Sequence, residues 1–328
     1  MTTYYVDASA PDRSDSNTGM SVSAPFADLA GLKNLQPGDT VAIRAGTSYT
    51  GGLTISASGT AAAPITFTSY GAGSAPVIST TGQNAITLQG ASYVIIDRIS
   101  VEGAVRAGVM MDETSAHNTL RNMEVTGVAY GYDLQGSHDN TIVSNYIHDL
   151  HMFRNTPGGN DDCGAEGIAL ESGSNNNEIS HNKIVNAIAP SYDYGMDGGG
   201  FEFWGSVSNV KIHDNVVLNS DGFVEVGGLA GDSLSDIQIY NNVSAGNSLF
   251  SWLHNDPSTT FGVNVSRFNV INNTIYEPAA WYIAGFDGPV TPGSFAFSNN
   301  IVYAPASGEV FSQSGTYHTG NFYQSAVT

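Results

Sequence analysis

The sequence predicts an all-β solenoid folded as one domain. Three observations carry this: an asparagine that returns in one short apolar context, a composition rich in glycine and apolar residues but poor in charge, and short alternating segments in place of helical periodicity. The returning residues are Asn122, Asn145, Asn182, Asn215, Asn242, Asn273 and Asn300, as in Ile142-Val143-Ser144-Asn145 and Ile179-Ser180-His181-Asn182. Asp97 is read as an earlier member, and the spacings from it onward are 25, 23, 37, 33, 27, 31 and 27 residues. A repeat of this length signals a solenoid, and the alternating segments make each coil β. An asparagine at the same corner of every coil can bond its amide to the next coil and tolerates the left-handed backbone such corners need.

Composition agrees. Glycine contributes 38 of 328 residues, hydrophobic residues 41% and charged residues only 12%. That is ample apolar material for a long core and argues against disorder. Because a solenoid is quasi-one-dimensional, its length is compatible with a single domain. No stretch approaches 18 apolar residues, so no membrane span is expected. Cys163 is the only cysteine, which excludes an intrachain disulfide. Thirty acidic residues stand against ten basic ones, a net charge of −20. Nucleic acid is therefore excluded as a partner, since nothing neutralises its phosphates. A polyanionic glycan would need a cation to approach, so Ca²⁺ is the expected cofactor if the substrate is anionic. The chain opens Met1-Thr2-Thr3-Tyr4 without an apolar signal segment; the expected location is nevertheless extracellular.

Residues 1–80 read as an N-terminal cap with the first coils, continuous with a β-helix over 81–328. Tyr4-Tyr5-Val6-Asp7 is a strand, Ala27 to Leu32 a short helix over the open end, and Val41-Ala42-Ile43-Arg44 and Pro64-Ile65-Thr66-Phe67-Thr68 are further strands. A covered first coil is expected because an open edge invites aggregation. From about residue 83 each coil repeats a first strand, a turn, a second strand ending at the ladder asparagine, and a variable loop. In the first strands, alternation turns Ile86/Leu88, Ile168/Leu170, Phe201/Phe203 and Val224/Val226 inward. One outward column then reads Thr87, Met110, Asp133, Ala169, Glu202, Glu225, Ser251, and a second reads Gln89, Asp112, Gln135, Glu171, Trp204. Two inserts break the period, Asp149 to Ala165 and Ala187 to Gly199, and such inserts usually map to the binding face.

The opening Tyr4-Tyr5-Val6-Asp7, then Asp15-Ser16-Asn17-Thr18-Gly19, Ala24-Pro25-Phe26 and Leu35-Gln36-Pro37-Gly38-Asp39-Thr40-Val41, together with the asparagine ladder, resembles the pectate-lyase-like right-handed parallel β-helix superfamily of polysaccharide lyases, epimerases and glycosidases. The resemblance covers nearly the whole chain. It implies a right-handed parallel β-helix of roughly nine to ten coils and a polysaccharide or oligosaccharide substrate. No first strand carries the Lys or Arg that several lyase families place there; Lys183 and Lys211 fall on second strands. Asn160-Asp161-Asp162-Cys163 is similar to an aspartate pair of polygalacturonases, but the Gly-His-Gly and Arg-Ile-Lys partners are absent. Tyr130-Gly131-Tyr132-Asp133 is similar to the Tyr/His site of mannuronan epimerases, without its Pro-His continuation. No catalytic residue is therefore carried over from a family.

The residues themselves offer one constellation. Glu171, Glu202 and Glu225 stack on successive coils, where like charges repel. Such a row is sustained by Ca²⁺ bound to several carboxylates or by protonation of one member. The first suits β-elimination of a uronate-containing glycan, the favoured reading; the second suits a glycoside hydrolase with paired carboxylates. A non-catalytic glycan-binding solenoid is the third reading, in which the row is simply solvated. His151 and Arg154 in the first insert are candidates for general base and uronate-binding cation. Asp162, Asp193 and Asp197 are candidate metal ligands, or else turn formers. Trp204, Tyr192 and Tyr194 are candidate sugar platforms, with Asp133 and Gln135 as polar substrate contacts. Cys163, with no base beside it, reads as a small buried residue.

Overall fold

The chain is a parallel β-helix in a computed structural model that describes residues 1–306, 310–313 and 317–325. Three parallel sheets, of 12, 9 and 11 strands, run the length of the solenoid, and consecutive strands of the chain pass from sheet to sheet. No helix among the described residues is long and apolar enough to cross a membrane. The expected helix of the cap shrinks to a 3₁₀ turn, Leu29–Gly31, whose start is capped by Asp28 accepting from the Ala30 backbone N–H. Thr3–Val6 and Thr40–Arg44 pair in parallel and begin the 12-stranded sheet, so the cap and the coils share one ladder.

The asparagine ladder forms one buried corner. The Asn145 backbone N–H and side-chain amide both donate to Asn182 Oδ1, at 2.9 Å each. Asn182 repeats this toward Asn215, Asn215 toward Asn242, and the series continues through Asn273 and Asn300 to Asn321. Each amide also donates to a main-chain carbonyl, as Asn215 Nδ2 does to Ile179 O. Two early members are corrected. Met123, 2% exposed, occupies the ladder corner of its coil and Ile99, 0% exposed, that of the coil before. Asn122 sits one residue earlier, at the left-handed position with φ 54°, and Asp97 ends the strand Val94–Asp97. The left-handed residue precedes the ladder asparagine throughout, as at Ser144, His181 and Asp214. Apolar side chains close the first corners and amides the later ones.

The nine-stranded sheet positions the site. It contains Ala107–Met111, Tyr130–Leu134, Glu166–Glu171, Gly199–Trp204, Gly222–Gly227, Leu249–Leu253 and Ala284–Phe286. Near the start of each, two consecutive residues face the core instead of alternating. A Cβ on Gly131 would lie 2.7 Å from the Ile147 side chain, and one on Gly167 would lie 2.8 Å from that of Ile184; Tyr132 and Ile168, their successors, are also fully buried. Further along, Phe223 with Val224 and Phe250 with Ser251 do the same. The paired inward residues shift the phase, so the residue before them faces outward. Both long inserts are antiparallel hairpins, Met152–Arg154 against Cys163–Gly164 and Ala189–Ser191 against Gly195–Asp197.

Candidate active site

The register of the nine-stranded sheet aligns Asp133, Ala169, Glu202, Glu225 and Trp252 in one outward column. Trp252, not Ser251, continues it, because the Phe250–Ser251 pair turns inward and Ser251 is fully buried. A second column aligns Glu171, Trp204 and Gly227. A Cβ on Gly227 would lie 2.7 Å from the Trp204 ring, and one on Gly285 would lie 2.2 Å from that of Trp252. Each tryptophan thus lies over a glycine of the next coil and needs it bare. The hairpins rise beside these columns and wall a cleft of roughly 900 Å³.

Eight acidic residues line the cleft: Asp161, Asp162, Glu166, Glu171, Asp197, Glu202, Asp221 and Glu225. Arg106 and His254 are its only basic lining residues among those described, and Tyr130, Tyr194, Trp204, Trp252 and Phe261 supply aromatic surface. Both basic groups are engaged. Arg106 Nε donates to Asp133 Oδ2 at 2.7 Å and Nη2 to Glu171 Oε1 at 3.1 Å, while the guanidinium lies over Tyr130 and Phe153. His254 bridges Glu225 Oε1 at 3.1 Å and Asp287 Oδ2 at 2.7 Å. Against burial, which lowers it, these two bonds push the imidazole up to about 9, so it is a cation at neutral pH.

The carboxyls are raised as well, which for them favours the neutral form. Burial, then the charges of Glu225 and Asp197, push Glu202 up to about 8. Asp197 is pushed up to about 7 by burial and by Glu225, against a hydrogen bond from the Gly198 N–H. Glu166 is held well above the glutamate range by burial, then by Glu202, Asp197, Glu225 and Asp221. Burial also raises Asp221 and Glu171, with Glu225 adding to the first and Asp133 to the second. Burial disfavours a charged carboxylate and a like charge beside it adds to the effect. The cleft therefore holds protonated carboxyls at neutral pH, with ionised groups within electrostatic reach.

Of the sequence-predicted site residues, Glu171, Glu202, Glu225, Trp204, Tyr194, Asp162 and Asp197 line the cleft. Asp133 lies beneath it, fully buried against Arg106, and Gln135 Nε2 donates to Asp133 Oδ2 at 3.1 Å. Others are placed elsewhere. His151 Nδ1 bonds the Met152 carbonyl, Arg154 is paired with Asp161 on the outer hairpin, and Tyr192 is 68% exposed at its hairpin turn. Asp193 lies beside Asp161 and Asp162, and these three bring ligand oxygens within 4.8 Å of one another. Asp197 is not in that group. Its place is taken by Asp161. The group's oxygens already accept from the Thr156, Gly158, Asp161 and Asp193 backbone N–H groups and from Ser191 Oγ. Glu166, Arg106, Asp221 and His254 were missed. Strict alternation turns Glu166 inward; its signal is the glycine that follows. Cys163 is half-buried in the cleft wall rather than in the core.

No curated protein sequence matches the chain significantly. Among solved structures, an alginate lyase from Paenibacillus sp. str. FPU-7 superposes over 98% of this chain and 99% of its own, at 20% identity and a TM-score of 0.62. A lacto-N-biosidase from Eubacterium ramulus matches at 14% identity and TM-score 0.59, over 98% of this chain and 66% of its own. An endo-xylogalacturonan hydrolase from Aspergillus tubingensis matches at 10% identity and TM-score 0.60, over 89% and 85%. These likenesses are of fold alone. The family model described as right handed beta helix region matches residues 51–217, just over half of the 328 residues, and the chain belongs to that family.

Proposed function

We propose that the protein is a secreted carbohydrate-active enzyme that hydrolyses a glycosidic bond in the cleft. The observation that carries this is the pairing of Glu202 with Glu225 on adjacent strands, the first protonated at neutral pH and the second in an ion pair with the His254 cation. Glycoside hydrolysis requires a carboxylic acid and a carboxylate side by side. Glu202 gives its proton to the leaving glycosidic oxygen as the C–O bond breaks. Glu225, oriented by His254, is the carboxylate partner, accepting the proton of the water whose oxygen forms the new bond to the sugar carbon. Trp204 and Trp252, lying flat along the groove, offer ring faces for sugars. Trp204→Ala should raise KM on the order of tenfold while kcat changes little, since a ring face that only stacks on a sugar binds ground and transition state alike.

Elimination would need a free base for the ring C–H and a free cation for the uronate. Both cationic lining residues are already engaged. In digests of a glycan panel, new reducing ends should appear without the ultraviolet band of unsaturated uronates. A rise in that band would overturn the hydrolytic reading, and neither product would favour a glycan-binding solenoid. Calcium-assisted elimination of a uronate-containing glycan is kept as a second reading on one observation, the Asp161, Asp162 and Asp193 group, since calcium favours carboxylate oxygens. Activity is expected to persist in excess chelator. Loss of activity that added Ca²⁺ restores would promote the second reading.

A further inference from the structure

The cleft carries more carboxyl groups than the hydrolytic step uses. Glu202 and Glu225 suffice for that step, and Arg106 and His254 are spent on Asp133, Glu171, Glu225 and Asp287. Among the described residues no basic side chain pairs with Glu166, Asp197 or Asp221. Glu166 is the sharpest case. It is 4% exposed, lines the cleft, and its Oε2 has no hydrogen-bond partner. Gly199 stands at the same position of the next strand, and a Cβ there would lie 3.3 Å from that oxygen. An unpaired buried carboxyl is costly. The local strands hold it in place all the same, as part of the cleft wall.

We infer that the cleft takes a glycan bearing free amino groups, with one ammonium seated on the Glu166 carboxyl beside Glu202 and Asp197. This names the substrate class of the hydrolytic site and rests on that reading. An ammonium is a compact charge with three donors. It compensates the unpaired carboxyl and supplies an uncommitted cation, since Arg106 and His254 are already paired. A uronate carries the opposite sign and an N-acetylated sugar carries none. The chain's net charge of −20 would steer a polycation to the groove and repel a polyanion.

The test is calorimetric titration of the whole protein, with chelator present so that no metal stands in for the ligand. The probes are a glucosamine oligomer, its fully N-acetylated counterpart and an oligogalacturonate. The glucosamine oligomer should bind on the order of 10- to 100-fold more tightly than the N-acetylated one, with a preference that weakens in salt. Binding at neutral pH should release protons to the buffer, because an arriving cation favours ionised carboxyls. The near-isosteric Glu166→Gln should lose most of both effects. Equal affinity for the two oligomers overturns the inference, as does a preference that Glu166→Gln leaves intact. If that variant does not fold, the comparison of oligomers on the unaltered protein still decides. Unsaturated products from the uronate would instead defeat the hydrolytic reading, whatever the amine preference.

Discussion

Glu202→Gln should lower kcat by about 10²- to 10⁴-fold, the usual contribution of a positioned proton donor, and should make the protein more stable in alkali. The two effects have one cause. Glu202 rises from an ordinary value of 4.5 in the unfolded chain to about 8 in the fold. Between those values the native state holds a proton that the unfolded state has lost, so this group's contribution to stability falls as pH rises and is lowest above about 8. Glutamine does not ionise and escapes the penalty. Melting temperatures of protein and variant should lie close together near pH 4.5 and diverge through pH 8, with the variant higher. Activity of the unaltered enzyme should fall as pH passes about 8, when the donor is deprotonated. Normal turnover in the variant, or a lower melting temperature at pH 9, would remove Glu202 from the role.

The largest loss of stability is expected at the ladder. Asn215→Ala removes a side chain that accepts from the Asn182 backbone N–H and amide and donates to Ile179 O and Asn242 Oδ1. Asn215 is fully buried, so water cannot replace it. Several groups on the two neighbouring coils lose a partner at once, at about 1–3 kcal/mol for each one left unsatisfied. The sum is on the order of 3–5 kcal/mol, before relaxation of the corner. Thermal unfolding should show a drop of about 5–10 °C. A change below about 1 kcal/mol would mean that the ladder bonds contribute little.

The fold was legible because its strongest signal is local and repeated. Asn145 to Asn300 recur at nearly the same place in every coil, and a buried amide tolerates few substitutes there. The two early members were misplaced because Ile99 and Met123 do the same job without an amide, leaving Asp97 and Asn122 as the nearest polar residues to mistake for them. The site was half legible. Glu171, Glu202, Glu225 and Trp204 obey simple alternation and fall where it puts them. Glu166 and Trp252 do not, for a shared reason: each coil turns two successive residues inward at the start of this strand, and parity fails across that step. His151, Arg154 and Tyr192 sit on hairpins, whose fold is set by local bonds such as Arg154 to Asp161 that periodicity does not describe. Arg106 and His254 lie one residue outside their strands, Ala107–Met111 and Leu249–Leu253, just past where a strand-based reading looks.

The paired inward step also sets where the chain can change length. Residues of the hairpin turn between Met152–Arg154 and Cys163–Gly164 can be added or removed without disturbing the stacked coils. Deleting Gly167 alone is a different event. Glu166 would then take the place next to Ile168 that now faces the core, and a carboxyl would enter the apolar interior against Ile184. A family of such chains should therefore vary freely in hairpin length, while a residue lost only a few positions later should be among the least tolerated changes in the molecule.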